Sequence, residues 1–158
     1  MELKDLMEQF GKEFGVPDLT ADETGVYTVL IDGMKVSFVA DPGAPRLVTW
    51  GEVGEVPPEG REKLFRVLLE SMYMGKATGG AVFSIEETTG KIVFHRMDPL
   101  DALDYEAFAR MLEAFVNILE KWRGILADFR GVAADQARAE EKSAQEARQF
   151  GLGDFMQV

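Results

Sequence analysis

Two β-rich runs, Val26 to Ile31 and Met34 to Ala40, are separated only by Asp32 and Gly33. A two-residue link between antiparallel strands needs a turn whose central residues take positive φ, and Asp-Gly is one of the few pairs that accept it. The spacing therefore predicts a β-hairpin, and the remaining elements have to be arranged around it.

The segment DPGAP, Asp41 to Pro45, cannot continue a central ladder, because its prolines lack donors and its glycine favours turns. A third strand is predicted from about Arg46 to Val53. Upstream of the hairpin, Leu3, Leu6, Met7, Phe10 and Phe14 recur at helical spacing, and Gly15 followed by Pro17 supplies a stop. Downstream, Val56, Pro57, Pro58 and Glu59 lead into a second helix. Leu64, Phe65, Leu68, Leu69 and Met72 share one of its faces, and Glu62, Arg66 and Glu70 form a ladder of opposite charges on the other.

After Gly75, Gly79 and Gly80, the runs Ala81 to Glu86 and Lys91 to Met97 flank a short Glu87 to Gly90 turn and read as a second hairpin. Asp101 or Asp104 can cap a last long helix, in which Phe108, Leu112, Phe115, Leu119, Trp122, Leu126 and Phe129 alternate by four and three. That spacing also fits a coiled coil. Met111, Ile118 and Ile125 widen the stripe, however, and a widened apolar face belongs to a helix packed on a sheet. The order helix, three strands, helix, two strands, helix predicts an α+β fold with a mostly antiparallel, twisted sheet of five strands. We expect the domain to occupy residues 1–130 and a helical or disordered tail to occupy 131–158, where Ala, Glu, Gln and Arg dominate.

The 158 residues suffice for one domain with a real core, and 46% of them are hydrophobic, so neither metal nor disulfide is needed for folding. With no cysteine, the chain has no disulfide framework, no thiol chemistry and no cysteine-bearing metal centre, and a reducing compartment suits it. Glu2, Lys4, Asp5 and Glu8 interrupt the apolar residues at the start, unlike a signal peptide, and no segment is apolar for long enough to span a bilayer. A net charge of -11 repels phosphate backbones and anionic lipid, which makes nucleic acid an unsuitable partner.

Chemistry finds no nucleus. Gly75 to Gly80 has the glycine spacing of a phosphate loop, but Ala81 and Val82 stand where lysine and a hydroxyl residue are required, and helix precedes strand. His95, the only histidine, lies in a strand, and no serine occupies a nucleophile elbow. Asp98, Asp101 and Asp104, and the neighbours Glu86 and Glu87, are explained by helix capping and turn solvation. Trp50, Trp122, Tyr27 and Tyr73 are not interleaved with a basic patch, so core or interface roles are expected. Met72 and Met74 are adaptable apolar residues that suit either a core or a binding surface. We expect no enzyme activity, no cofactor and no metal.

The segment from Leu68 to Leu126 resembles the class I chaperones of type III secretion, the Tir-chaperone family. The resemblance rests on Leu68-Leu69 followed by a Gly-Gly link, the strand-turn-strand of AVFSIEETTGKIVF, the Pro99-Leu100-Asp101 triplet and the Trp122-Arg123 pair. Met72 stands where the family pattern often has asparagine, and the tail beyond Gly131 is longer. The resemblance implies a cytoplasmic homodimer that wraps an extended N-terminal segment of a secreted effector and keeps it soluble and export-competent. It places the dimer interface on the second helix and the following strand, with Leu64, Leu68, Met72 and Val82 as candidates. Phe10, Val36, Phe38, Leu47 and Trp50, on the first helix and first three strands, are the client-binding candidates. Two other classes are an adaptor or structural subunit for a folded partner, and a small carboxylate-based hydrolase built around Asp98. Phe150, Leu152, Phe155 and Met156 either lie in an apolar client groove of the same or a neighbouring dimer, or belong to a solvated tail.

Overall fold

The computed structural model describes residues 2–16 and 18–149. Pro17 and the apolar residues Phe150, Leu152, Phe155 and Met156 lie outside that range. The elements run α1 (Leu3–Phe14), β1 (Tyr27–Ile31), β2 (Met34–Ala40), β3 (Arg46–Glu55), α2 (Arg61–Ser71), β4 (Val82–Ile85), β5 (Lys91–Pro99) and α3 (Tyr105–Gln149). The five strands pair in the order β1-β2-β3-β5-β4, every neighbouring pair antiparallel. The expected α+β order holds.

Local chemistry accounts for the turns. Asp32 and Gly33 have φ of 48° and 76°, so the β1–β2 link is the two-residue turn their identities required. In the DPGAP link, the Asp41 carboxylate accepts the Gly43 N–H at 2.8 Å and pairs with Arg46. At the second hairpin, the Glu86 carboxylate accepts hydrogen bonds from the Thr89 hydroxyl and from the backbone N–H groups of Thr88 and Thr89, the latter two at 3.1 and 3.0 Å. These bonds, the Thr89 side chain's first, hold it below the usual carboxylate range. Asp104 caps α3, its Oδ1 accepting the Ala107 N–H at 2.7 Å.

Strand parity and helix stripes meet on one face of the sheet. Val36, Phe38, Leu47, Ile92 and Phe94 point toward α1 and α3 and are buried. They meet Leu6, Met7 and Phe10 from α1, with Phe108, Phe115, Leu119, Trp122 and Leu126 from α3. Phe38 and Phe108 have ring centroids 5.7 Å apart, Phe94 and Phe115 5.2 Å, and Phe83 meets Trp122 edge-on at 5.0 Å. Gly51 in β3 lets α3 approach the sheet. A Cβ there would stand 2.5 Å from Leu119 Cδ2 and 3.3 Å from the Lys35 carbonyl oxygen. The apolar stripe of α3 is thus used against a sheet and not in a coiled coil. Residues of opposite strand parity, among them Val39, Val48, Trp50, Val93 and His95, are only half-buried.

α3 continues through Gly131, the point where its composition changes, to Gln149. A solvent-facing glycine weakens a helix by only about 1 kcal/mol, and the alanine-rich sequence with i,i+3 and i,i+4 ion pairs sustains it. Those pairs are Asp135–Arg138 at 3.9 Å and Lys142–Glu146 at 4.0 Å. Among the described residues no helix is long and apolar enough to cross a membrane.

Two substitutions test this account of the core. Gly51→Val should lower unfolding stability by about 1–3 kcal/mol through overpacking against Leu119. Asp104→Ala should lower it by about 0.5–2 kcal/mol through loss of the cap. Urea unfolding followed by circular dichroism measures both.

Candidate functional site

Among the sequence candidates for catalysis, Asp98, Asp104 and Glu86 are occupied structurally. Asp98 is bound in a fork by Arg96 on the same strand, with Nε to Oδ2 at 2.7 Å. Asp104 caps a helix and Glu86 shapes a turn, so each carboxylate already has backbone or guanidinium partners. His95 shares a hydrogen bond between Nδ1 and Ser84 Oγ at 3.2 Å, and burial lowers its pKa from the usual imidazole value. Among the described residues no group of three acidic or imidazole side chains could hold a metal ion. Gly75 to Gly80 forms the connection into β4, and the Trp122 indole secures it by donating Nε1–H to the Ala77 carbonyl at 3.2 Å.

What the fold does assemble is apolar surface at its two sheet edges. The first lies where α1, β1 and α3 meet. Phe10 and Val29 form its floor, Phe14, Val16 and Leu30 its exposed apolar rim, and Leu112 and Val116 its wall, enclosing about 880 Å³. Phe14 stacks on Phe10 at 4.6 Å while remaining 64% exposed. β1 pairs with β2 on one side only. The pair flanking a two-residue turn, Ile31 and Met34, is hydrogen-bonded, so alternation along the ladder directs the N–H and C=O of Thr28 and Leu30 away from β2. Leu30 itself is 70% exposed. An unpaired strand edge therefore borders an apolar groove.

The second surface lies at the opposite edge, around α2 and β4. Leu69, Tyr73, Met74, Val82 and Ile85 are all exposed. Met74 has φ of 57°, a left-handed conformation seldom adopted by an unbranched apolar residue. Met72 beneath it is half-buried, its Sδ accepting the Phe83 N–H at 3.1 Å, which ties the end of α2 to β4.

The expected site residues fall in several places. Val36, Phe38 and Leu47 are fully buried under the helices, so they are core residues of the single chain and not surface contacts. Phe10 is also buried but lines the groove, and Trp50 lies half-buried on the other sheet face. Of the dimer candidates, Leu64 and Leu68 point into the core, while Met72 and Val82 remain at the surface beside the exposed Leu69. The reason is the same in both cases: apolar spacing identifies a strand or helix face but not which of two apolar faces the chain covers itself. Sequence reasoning misses Phe14 and Leu30 as surface contacts. The signal available for Leu30 is the uninterrupted Val29-Leu30-Ile31 run, in which both parities are apolar.

Comparison with known proteins gives a consistent picture. No curated protein matches the chain. In solved structures, the ExsC-ExsE complex matches with 25% identity and a TM-score of 0.67, over 80% of this chain and 97% of that one. The HopA1-SchA chaperone-effector complex matches with 18% identity and a TM-score of 0.63, over 77% and 92%. The Yersinia pestis type III secretion chaperone SycH, solved with a stable fragment of YscM2, matches with 17% identity and a TM-score of 0.57, over 75% and 97%. The sequence profile of the Tir chaperone protein (CesT) family matches residues 5–123, from α1 to the middle of α3, and the chain belongs to that family.

Proposed function

We propose that this protein is a cytoplasmic type III secretion chaperone that, as a homodimer, holds an extended N-terminal segment of an effector soluble and ready for export. The observation that carries the reading is the unpaired edge of β1 beside the apolar groove. An extended segment adding to β1 gains main-chain hydrogen bonds from Thr28 and Leu30, which are indifferent to sequence, and seats alternate apolar side chains against Phe10, Phe14 and Val116. Holding an unfolded client needs no catalytic group, and family membership agrees with a protein that is not an enzyme. The net charge of -11 favours solubility around such surfaces.

Ordering a disordered client costs free energy, so a large contact area is required, and two copies double it. The surface we assign to the twin is the α2–β4 edge, with Leu69, Tyr73, Met74, Val82 and Ile85 meeting their counterparts and Met72 supporting them. In this reading residues 1–130 form the chaperone domain and 131–158 an appended tail. Trp50 remains a candidate contact for client that continues across the sheet. An adaptor for a folded partner would instead have a compact patch protected, not a strand edge.

Leu30→Asp should reduce effector capture by about tenfold or more while the melting temperature stays nearly unchanged, because the side chain is exposed. Co-purification from the native cell, with mass spectrometry of captured secretion substrates, measures it. Equal capture by the variant would reject the groove. Leu69→Asp with Tyr73→Asp should yield a folded monomer, whereas Leu68→Asp should unfold the chain, since Leu68 is a core residue. Light scattering and circular dichroism separate these outcomes, and a monomeric wild type would overturn the dimer.

A further inference from the structure

The family match ends at residue 123, and about three-quarters to four-fifths of this chain suffices to cover the similar structures nearly end to end. The far half of α3 and the residues beyond it thus lie outside the family match. α3 contributes Ala109 to Asn117 to the wall of the edge-strand groove and then runs on to Gln149. At the rise of an α-helix, Gln149 stands about 48 Å along the axis from Asn117. The final segment, FGLGDFMQV at 150–158, reaches at most about 32 Å when fully extended. With α3 intact it cannot return to the groove of its own chain.

The same segment has the chemistry that groove accepts. Phe150, Leu152, Phe155 and Met156 are apolar, no proline interrupts backbone pairing, and Asp154 is its only charged side chain. On a protein of net charge -11, a segment so sparsely charged meets a second copy with little repulsion. We propose that residues 150–158 of one copy occupy the edge-strand groove of another, as a built-in occupant that an effector must displace. This inference rests on the assignment of that groove to the client. Its consequence is that effector binding is competitive, and that copies without client mask one another's apolar grooves.

The test uses the full chain carrying Phe150→Asp and Phe155→Asp. In wild type the amides of β1 should be protected from hydrogen exchange, and in the variant they should exchange about tenfold faster or more. A labelled peptide of residues 147–158 should bind the variant, and adding Leu30→Asp should weaken that binding about tenfold or more. A captured effector segment, added to the same variant, should restore protection of β1 and displace the peptide. If the effector protects β1 but the tail substitutions leave its exchange unchanged and the peptide does not bind, the tail inference is overturned and the client groove stands. If the effector does not protect β1 either, the assignment of the groove itself has failed.

Discussion

The seating of α3 on the central strand β3 is the contact on which the rest of the structure depends. Gly51 permits that close approach, because a Cβ there would stand 2.5 Å from Leu119 Cδ2, and the seating aligns the aromatic side chains of α3 with those of β2 and β5. Once α3 is fixed, α1 packs beside it through Phe10 and Phe108, whose ring centroids are 6.4 Å apart. Trp122, farther along the same helix, secures the glycine-rich connection into β4. One helix thereby organises both ends of the sheet.

A sheet covered by helices on one face still has two edges, and both are left apolar. Proteins ordinarily protect such edges with charges, prolines or bulges, because unpaired backbone groups recruit other chains. β1 instead carries an exposed leucine beside a groove, and β4 lies next to exposed Leu69, Tyr73 and Met74. In the proposed function the unprotected edge is the binding device: pairing along the backbone would tolerate many client sequences, and the groove would require only that they be apolar at alternate positions. The strongly acidic composition keeps those surfaces from attracting like copies indiscriminately.

Much of the fold was legible because its signals are local. Asp32-Gly33 specifies a hairpin, DPGAP interrupts a strand, and the four-and-three spacing of α3 marks a buried stripe. The structure bears out all three. The binding surfaces were less legible. Val36, Phe38 and Leu47 read as well for a client face as for a core, and only the position of the helices makes them interior. Leu68 and Leu69 are adjacent in sequence, yet a rotation of about 100° per residue sends one into the core and the other into solvent.

The sequence by itself determined the element order, the turn geometry, the acidic field and the lack of a thiol or a metal-binding motif, since each depends on residue identity or near neighbours along the chain. It also carried the family resemblance, in the strand-turn-strand and the residues around Pro99. Tertiary structure alone decided which parity of the sheet is covered and that α1, β1 and α3 converge on one groove at an open strand edge. Those outcomes depend on contacts between segments as much as a hundred residues apart. Apolar periodicity states that a face must be buried, and only the packed chain selects what buries it.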